Sequence, residues 1–276
     1  MTVSQIVEFV VLGFGTGVYG TLVGAGGGFL LVPLLLITLR VQPAQAAGTS
    51  LAVVFLNALS GSISYARQGR IDYQPAIAFA LATLPGAYLG AHVAGRFGGA
   101  TFRWVFALLL LGIAAILLWR PTSVGDAGGG AQPASDGPRG RWRIQRTLTD
   151  RMGHVFRYQY NLLGGILASV LVGFVSSILG IGGGIIHVPM LIHLLGFPAH
   201  VATATSHFIL AISAGVGAGT HAALGHVLLG PAAALGGGVV VGAQVGAALS
   251  HRVRGSLVVR ILSLALVLVA ARLLLT

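Results

Sequence analysis

The chain contains no cysteine and no lysine, and only five of its 276 residues are acidic. Without thiols it can form no disulfide, run no thiol catalysis and ligate no iron–sulfur cluster. Charged residues of either sign make up 8% of the sequence, against about 25% in a soluble domain, so the chain cannot cover its surface in water. Hydrophobic residues make up 55%, and the mean hydropathy is +0.92. Apolar runs over 6–23, 46–65, 75–94, 162–179, 231–249 and 257–275 each approach the length of a bilayer crossing. They predict an all-α polytopic membrane protein whose first partner is the lipid bilayer. No positive residue precedes the first run, which therefore reads as a membrane segment and not as a cleaved signal.

The net charge of +11 would, in a soluble chain, suggest nucleic acid. All sixteen basic residues are arginines, however, and they stand at segment ends or in one long connection. Arginines so placed set membrane topology, and no nucleic-acid partner is expected.

What the chain has in abundance is glycine, 43 residues, some of it in two runs inside apolar segments. GAGGGFLLVPLLL begins at Gly24 and GIGGGIIHVPMLI at Gly180, 156 residues later. At that offset, 17–50 and 173–206 share 12 of 34 positions, where about three are expected by chance. The same offset pairs Gly61 with Gly217, Pro75 with Pro231, Gly86 with Gly242 and Gly90 with Gly246. The chain is an internal duplication. Residues 1–120 form a first membrane repeat, 121–160 a polar, Arg-rich connector expected to be cytoplasmic, and 161–276 a second repeat. The connector opens on a Gly/Ser/Pro/Asp stretch that reads as flexible linker. Its second part, RWRIQRTLTDRMGHVFRYQY, carries five arginines and reads as a positive-inside signal, with a basic surface helix as the alternative.

Each half reads as a long segment ending at the glycines, a short one of about 12–13 residues and three more, giving eight to ten membrane segments in all. One straight helix over 6–39 would be about 50 Å long against a hydrocarbon core of about 30 Å, so the chain turns back at the glycines. The resulting odd number of crossings makes the halves inverted repeats. With the connector inside, inversion also places Arg67, Arg70, Arg252 and Arg254 inside, leaving Arg40, Arg96 and Arg103 outside.

A glycine break at membrane depth frees backbone amides that must face protein or a wet cavity. Helices restarting at Gly28 and Gly184 would point positive dipole ends into the breaks. Two such ends make a site for a small anion, built from Gly26, Gly27 and Gly28 with Gly182, Gly183 and Gly184. Close helix packing, the simpler role of glycine, fits Gly86, Gly90, Gly242 and Gly246 better than three glycines in a row. Thr49-Ser50 and Thr205-Ser206 stand at equivalent positions near the start of the next segment; they either cap it or donate to an oxyanion. Asn57 lies on the same helical face as Ser50 and could line the same cavity.

Seven of nine histidines fall in the second half. His187, after the second glycine run, and His207, after Thr205-Ser206, are candidates for proton coupling, with a neutral, backbone-bonded role as the alternative. His226 and His251 read as ordinary loop-edge residues. No ligand spacing points to a metal, and no cofactor is expected. Gly15-Thr16-Gly17-Val18-Tyr19-Gly20 matches a dinucleotide fingerprint but lacks the strand before it and the acid after it.

The doubled G-x-G-G-G-x-x-x-V-P, the doubled Thr-Ser and the VATATSHF run from Val201 resemble the sulfite exporter TauE/SafE permeases over nearly the whole chain outside the connector. The resemblance implies a cell-membrane carrier of small sulfur-containing anions such as sulfite or organosulfonates. It carries the glycine motif onto Gly24, Gly26, Gly27, Gly28 and Pro33 and onto Gly180, Gly182, Gly183, Gly184 and Pro189. The expectation is a proton-coupled secondary transporter and not an enzyme. The alternatives are a passive channel and an intramembrane hydrolase; Ser206 and His207, adjacent on a helix, would form a poor dyad.

Overall fold

Helix α1 (Val3–Val23) stops where Gly24 turns left-handed, at φ 79°, and returns its amide to the carbonyls of Gly20 and Thr21. The computed structural model describes residues 2–119, 142–250, 252–253 and 255–275. The expected linker at 121–140, His251 and Arg254 lie outside the described residues. After the break come α2 (Gly28–Leu39), α3 (Pro43–Gln68), α4 (Tyr73–Ala94) and α5 (Gly99–Trp119). The second half repeats the order: α6 (Leu162–Leu179), α7 (Gly184–Pro189) running into a π turn (Met190–Leu194), α8 (Ala199–Ala223), α9 (Leu229–Leu249) and α10 (Gly255–Leu274). Seven of these, namely α1, α3, α4, α5, α6, α8 and α9, are long and apolar enough to cross a membrane, and the stretches after the two breaks are shorter apolar helices. The chain is a multi-pass membrane protein. Large apolar side chains such as Val11, Leu81, Leu108, Leu171 and Leu264 stand exposed, as a lipid-facing surface requires.

The Arg-rich part of the connector is an antiparallel β-hairpin, β1 (Arg143–Thr149) and β2 (Val155–Asn161), and not a surface helix. Period two explains the difference. Arg143, Gln145 and Thr147 face out, while Ile144, Arg146 and Leu148 face in with Phe156, Tyr158 and Tyr160. Tyr158 and Tyr160 pack on Phe197, and Tyr160 on Phe79, so the hairpin seats on the helices.

The halves exchange partners. α1 runs parallel along α9, and α6 along α4, through glycines that bring backbone onto backbone. A Cβ at Gly13 would lie 2.2 Å from the Leu235 carbonyl oxygen, and at Gly242 2.2 Å from that of Phe14. In the other pair a Cβ at Gly173 would lie 2.2 Å from the Thr83 oxygen, and at Gly86 2.1 Å from that of Val170. α3 and α8 cross antiparallel: Gly48 meets His221, Gly217 meets Leu51, and Gly61 meets His207. α5 packs on α10. Contacts between residues 156 positions apart therefore recur with the halves exchanged, as a pseudo-twofold axis dictates.

Candidate functional site

Both breaks are built alike. Gly24, Gly26 and Gly27 have φ of 79°, 74° and 79°, and Gly180, Gly182 and Gly183 have 72°, 76° and 79°. Only glycine adopts such a run without strain. The breaks also interlock. A Cβ at Gly28 would lie 2.8 Å from the Ile181 oxygen, and one at Gly184 2.6 Å from the Gly24 oxygen. Val54 of α3 and Leu210 of α8, themselves equivalent, both close on Gly26 and Gly182. The six glycines expected to form a site are thus all buried in the two interlocked breaks.

The first turns of the restarted helices leave amides unpaired. Leu30 and Leu31 donate to the Gly27 carbonyl, and Ile186 and His187 to that of Gly183. The amides before them, of Gly28 and Phe29 and of Gly184 and Ile185, have no protein acceptor among the described residues, and all four residues are buried. Neither Gly27 nor Gly183 supplies a side-chain cap. Two buried donor sets at positive dipole ends result.

The paired hydroxyls do not cap their helices, since α3 begins at Pro43 and α8 at Ala199. They cross to the opposite half instead. Ser50 Oγ lies 2.8 Å from the Gly180 oxygen and 3.4 Å from that of Gly28, and Ser206 Oγ donates to the Gly24 oxygen at 3.3 Å. Thr49 Oγ1 accepts from the Leu228 amide at 3.0 Å, and Thr205 Oγ1 from the Asp72 amide at 3.2 Å. The Ser50–Gly180 and Ser206–Gly24 bonds are counterparts 156 positions apart, as are the Thr49–Leu228 and Thr205–Asp72 bonds, whereas the longer Ser50–Gly28 contact stays within the first half. In this conformation the serine protons go to carbonyls of the breaks and not to an anion.

Asn57 does line the first break, donating from Nδ2 to the Gly26 oxygen at 2.8 Å. Its Oδ1 accepts from Thr21 Oγ1 at 2.8 Å, and Thr21 lies 3.3 Å from His207 Nε2. Tyr65 donates to the Thr21 carbonyl at 2.7 Å and stands edge-on to the His207 ring. His207 belongs to this network, whereas His187 sits apart, its Nε2 3.3 Å from Ser169 Oγ. Both rings are fully buried, with Nδ1 unbonded in each. Ser206 and His207 point to different partners, so they form no dyad. Thr21 and Tyr65 were not singled out from sequence, although Thr21 and Ser177 are aligned hydroxyls in the duplication.

The hairpin reaches the same region through Asp72. Arg146 grips its carboxylate with two bonds, 2.7 and 2.9 Å, Tyr158 donates to it as well, and the Asp72 side chain is fully buried. Asp72 also caps α4 at Gln74. The bond to Asp72 raises the Arg146 guanidinium further. Burial, with Asp72 alongside, drives the Tyr158 phenol well up, and burial pushes Tyr160 up to about 12. Arg70 lies 3.5 Å from Asp150, which accepts from the Met152 and His154 amides and from the His154 ring. Burial pulls the Asp150 carboxyl up, but these donations outweigh it and hold the group below the ordinary carboxylate value. No group of three or more His, Asp or Glu that could hold a metal occurs among the described residues.

The family model described as Sulfite exporter TauE/SafE matches residues 9–273. A "Probable membrane transporter protein YunE" of Bacillus subtilis (strain 168) is 33% identical over 276 residues, 98% of this chain and 97% of its own. A "Probable membrane transporter protein ORF9" of Sinorhizobium sp is 28% identical over 225 residues, 81% of this chain and 75% of its own. A third, from Methanocaldococcus jannaschii, "Probable membrane transporter protein MJ0441", is 26% identical over 188 residues, covering 66% and 60%. No solved structure matches.

Proposed function

Because the chain belongs to the sulfite exporter TauE/SafE family and is a membrane permease of that type, we propose that it is a secondary carrier of small sulfur-containing anions, sulfite or organosulfonates, coupled to protons. It works in the cell membrane, with the connector on the cytoplasmic side and the halves as inverted repeats. The antiparallel crossing of α3 and α8 supports inversion, because equivalent spans related by an axis along the membrane normal would run parallel.

One observation carries the reading. The buried first-turn amides of Gly28, Phe29, Gly184 and Ile185 lack protein acceptors and converge at two interlocked breaks. An oxyanion satisfies such donors and is favoured by both dipole ends. Gly26, Gly27, Gly182 and Gly183 shape the breaks, Ser50 and Ser206 fasten each break to the other half, Thr49 and Thr205 hold the other half's connections at Leu228 and Asp72, and Asn57 fixes the first break. His187, which follows the second break, and His207, which joins the Thr21–Asn57 network at the first, are buried titratable groups beside them. The tight contact between breaks supports a carrier over a continuous pore, and exchange of the two halves' conformations would give alternating access.

Counterflow in proteoliposomes tests this: vesicles loaded with unlabelled sulfite should accumulate labelled sulfite, and an organosulfonate should compete where a carboxylate does not. No accumulation by folded protein would overturn the substrate. The glycines themselves are poor probes, since a Cβ at Gly27 would lie 2.9 Å from the Thr16 oxygen at positive φ. Val54→Asp instead sets a carboxylate beside both breaks and should cut transport at least tenfold in folded protein; normal transport would sink the site assignment.

A further inference from the structure

At the end of the molecule away from the hairpin, His221 and His226 meet through their Nδ1 atoms at 3.2 Å. His221, in the last turn of α8, is fully buried, and its Nε2 lies 3.0 Å from the Ser177 carbonyl in the last turn of α6. His226, in the α8–α9 loop, is partly exposed. A carbonyl can only accept, so His221 carries its proton on Nε2 and offers the Nδ1 lone pair. His226 must then donate from Nδ1, which leaves its own Nε2 lone pair open. One further proton can enter at that Nε2 without breaking any of these bonds. A second would set one N–H against another.

We propose that His221 and His226 are the proton-loading site of the carrier, holding one excess proton between the C-terminal turns of α6 and α8. Helix C-terminal ends favour a cation, and discontinuous carriers use such ends for coupling ions as they use N-terminal ends for anions. The counterpart positions in the first half clarify the role. There Tyr65 donates to the Thr21 carbonyl as His221 does to that of Ser177, and Arg70, a permanent cation, is neutralised by Asp150. At one end of the pseudo-twofold the charge is fixed and paired; at the other it is switchable.

Among the described residues the surroundings supply no fixed counter-ion. α4 contributes His92, whose ring bonds the Tyr88 carbonyl, and Arg96 follows that helix. The facing parts of α3, around Gly48, and of α6, around Ser177, carry no ionisable group. Glu8, level with the start of α9 on the exposed side of α1, makes no ion pair among the described residues. Ser177 Oγ, buried beside the pair, is without a partner. The loop bearing His226 also holds the site: Leu228, two residues on, donates to Thr49 Oγ1 next to Ser50. Charging the pair therefore acts on a loop fastened to the break.

This inference rests on the proton-coupled carrier reading, and two measurements separate their failures. Nitrogen-labelled imidazoles of the protein in nanodiscs, titrated from about pH 8 to about pH 5, should show two coupled rings taking up one proton together. His226→Gln and His226→Arg should each abolish that step at His221; the arginine variant places a permanent cation where the first half has Arg70. A His221 titration unmoved by either replacement would overturn the site. In proteoliposomes, an acidic-inward gradient should accelerate sulfite uptake several-fold, and the ratio of rates with and without the gradient should fall to one in both variants. An unchanged ratio would also overturn it. Absent counterflow with the coupled step present would fail the substrate alone, whereas counterflow without the step would fail the proton site alone.

Discussion

Asn57 occupies both of its polar ends at the first break, giving protons to the Gly26 carbonyl and receiving one from Thr21. Asn57→Ala leaves the buried Gly26 carbonyl without its donor and the Thr21 hydroxyl with only His207 beside it, which costs about 1–3 kcal/mol. Thermal unfolding in nanodiscs should register that loss, while Ser213→Ala at the equivalent position should cost less. Among the described residues Ser213 bonds only the Leu210 carbonyl of its own helix, at 3.4 Å. Asn57 was legible because it follows Ser50 at helical spacing, and the glycines because they repeat. Thr21, Tyr65 and Ser169 were not. Each is one hydroxyl on an apolar helix, and its importance comes from a partner as far as 186 positions away, as with Thr21 and His207. The serines illustrate the opposite limit: their positions were readable, but their donation to carbonyls of the other half depends on how the halves interlock.

The hairpin is the element whose form differed most from expectation. Five arginines in 141–160 drew attention to charge, yet the inward Ile144, Arg146 and Leu148 show an alternation that charge obscured. Its attachment joins aromatic packing on Phe197 and Phe79 to an ion pair with Asp72. Arg146→Ala uncovers the buried Asp72 carboxylate and should destabilise the docked hairpin by about 3 kcal/mol, seen as faster hydrogen exchange over 143–161. Thr205 should feel the change as well, because the Asp72 amide donates to it. Asp150 sets the pH window. Its carboxyl is lowered from 3.8, so its contribution is complete above the ordinary carboxylate value and fades as pH falls through the lowered one. Exchange protection of the hairpin should stay level from about pH 7 to about pH 5 and drop only below about pH 4; a loss near pH 6 would contradict this assignment.

For the molecule as a whole, close backbone contact between halves is the principal constraint. Gly242→Leu forces a side chain into the Phe14 carbonyl 2.2 Å from its Cβ, whereas Gly237, one turn earlier and exposed, meets nothing within 4 Å. The first variant should yield little folded protein by size exclusion, and Gly237→Leu should behave as the parent does. The duplication and its small-residue stripes were plain in the sequence. Which helix each stripe serves was not, because parallel and exchanged pairings satisfy the same spacing, and only packing decides that α1 takes α9 and α6 takes α4. The mutual fastening of the breaks has a historical consequence. Ser50 closes on Gly180 and Ser206 on Gly24, so in a single repeat the break would lack the serine that the other half supplies. A single-repeat ancestor would have gained that serine only by assembling with a second copy of itself. Cutting the chain within 121–140 and producing the two pieces together should therefore still give one assembled protein, while neither piece should survive alone.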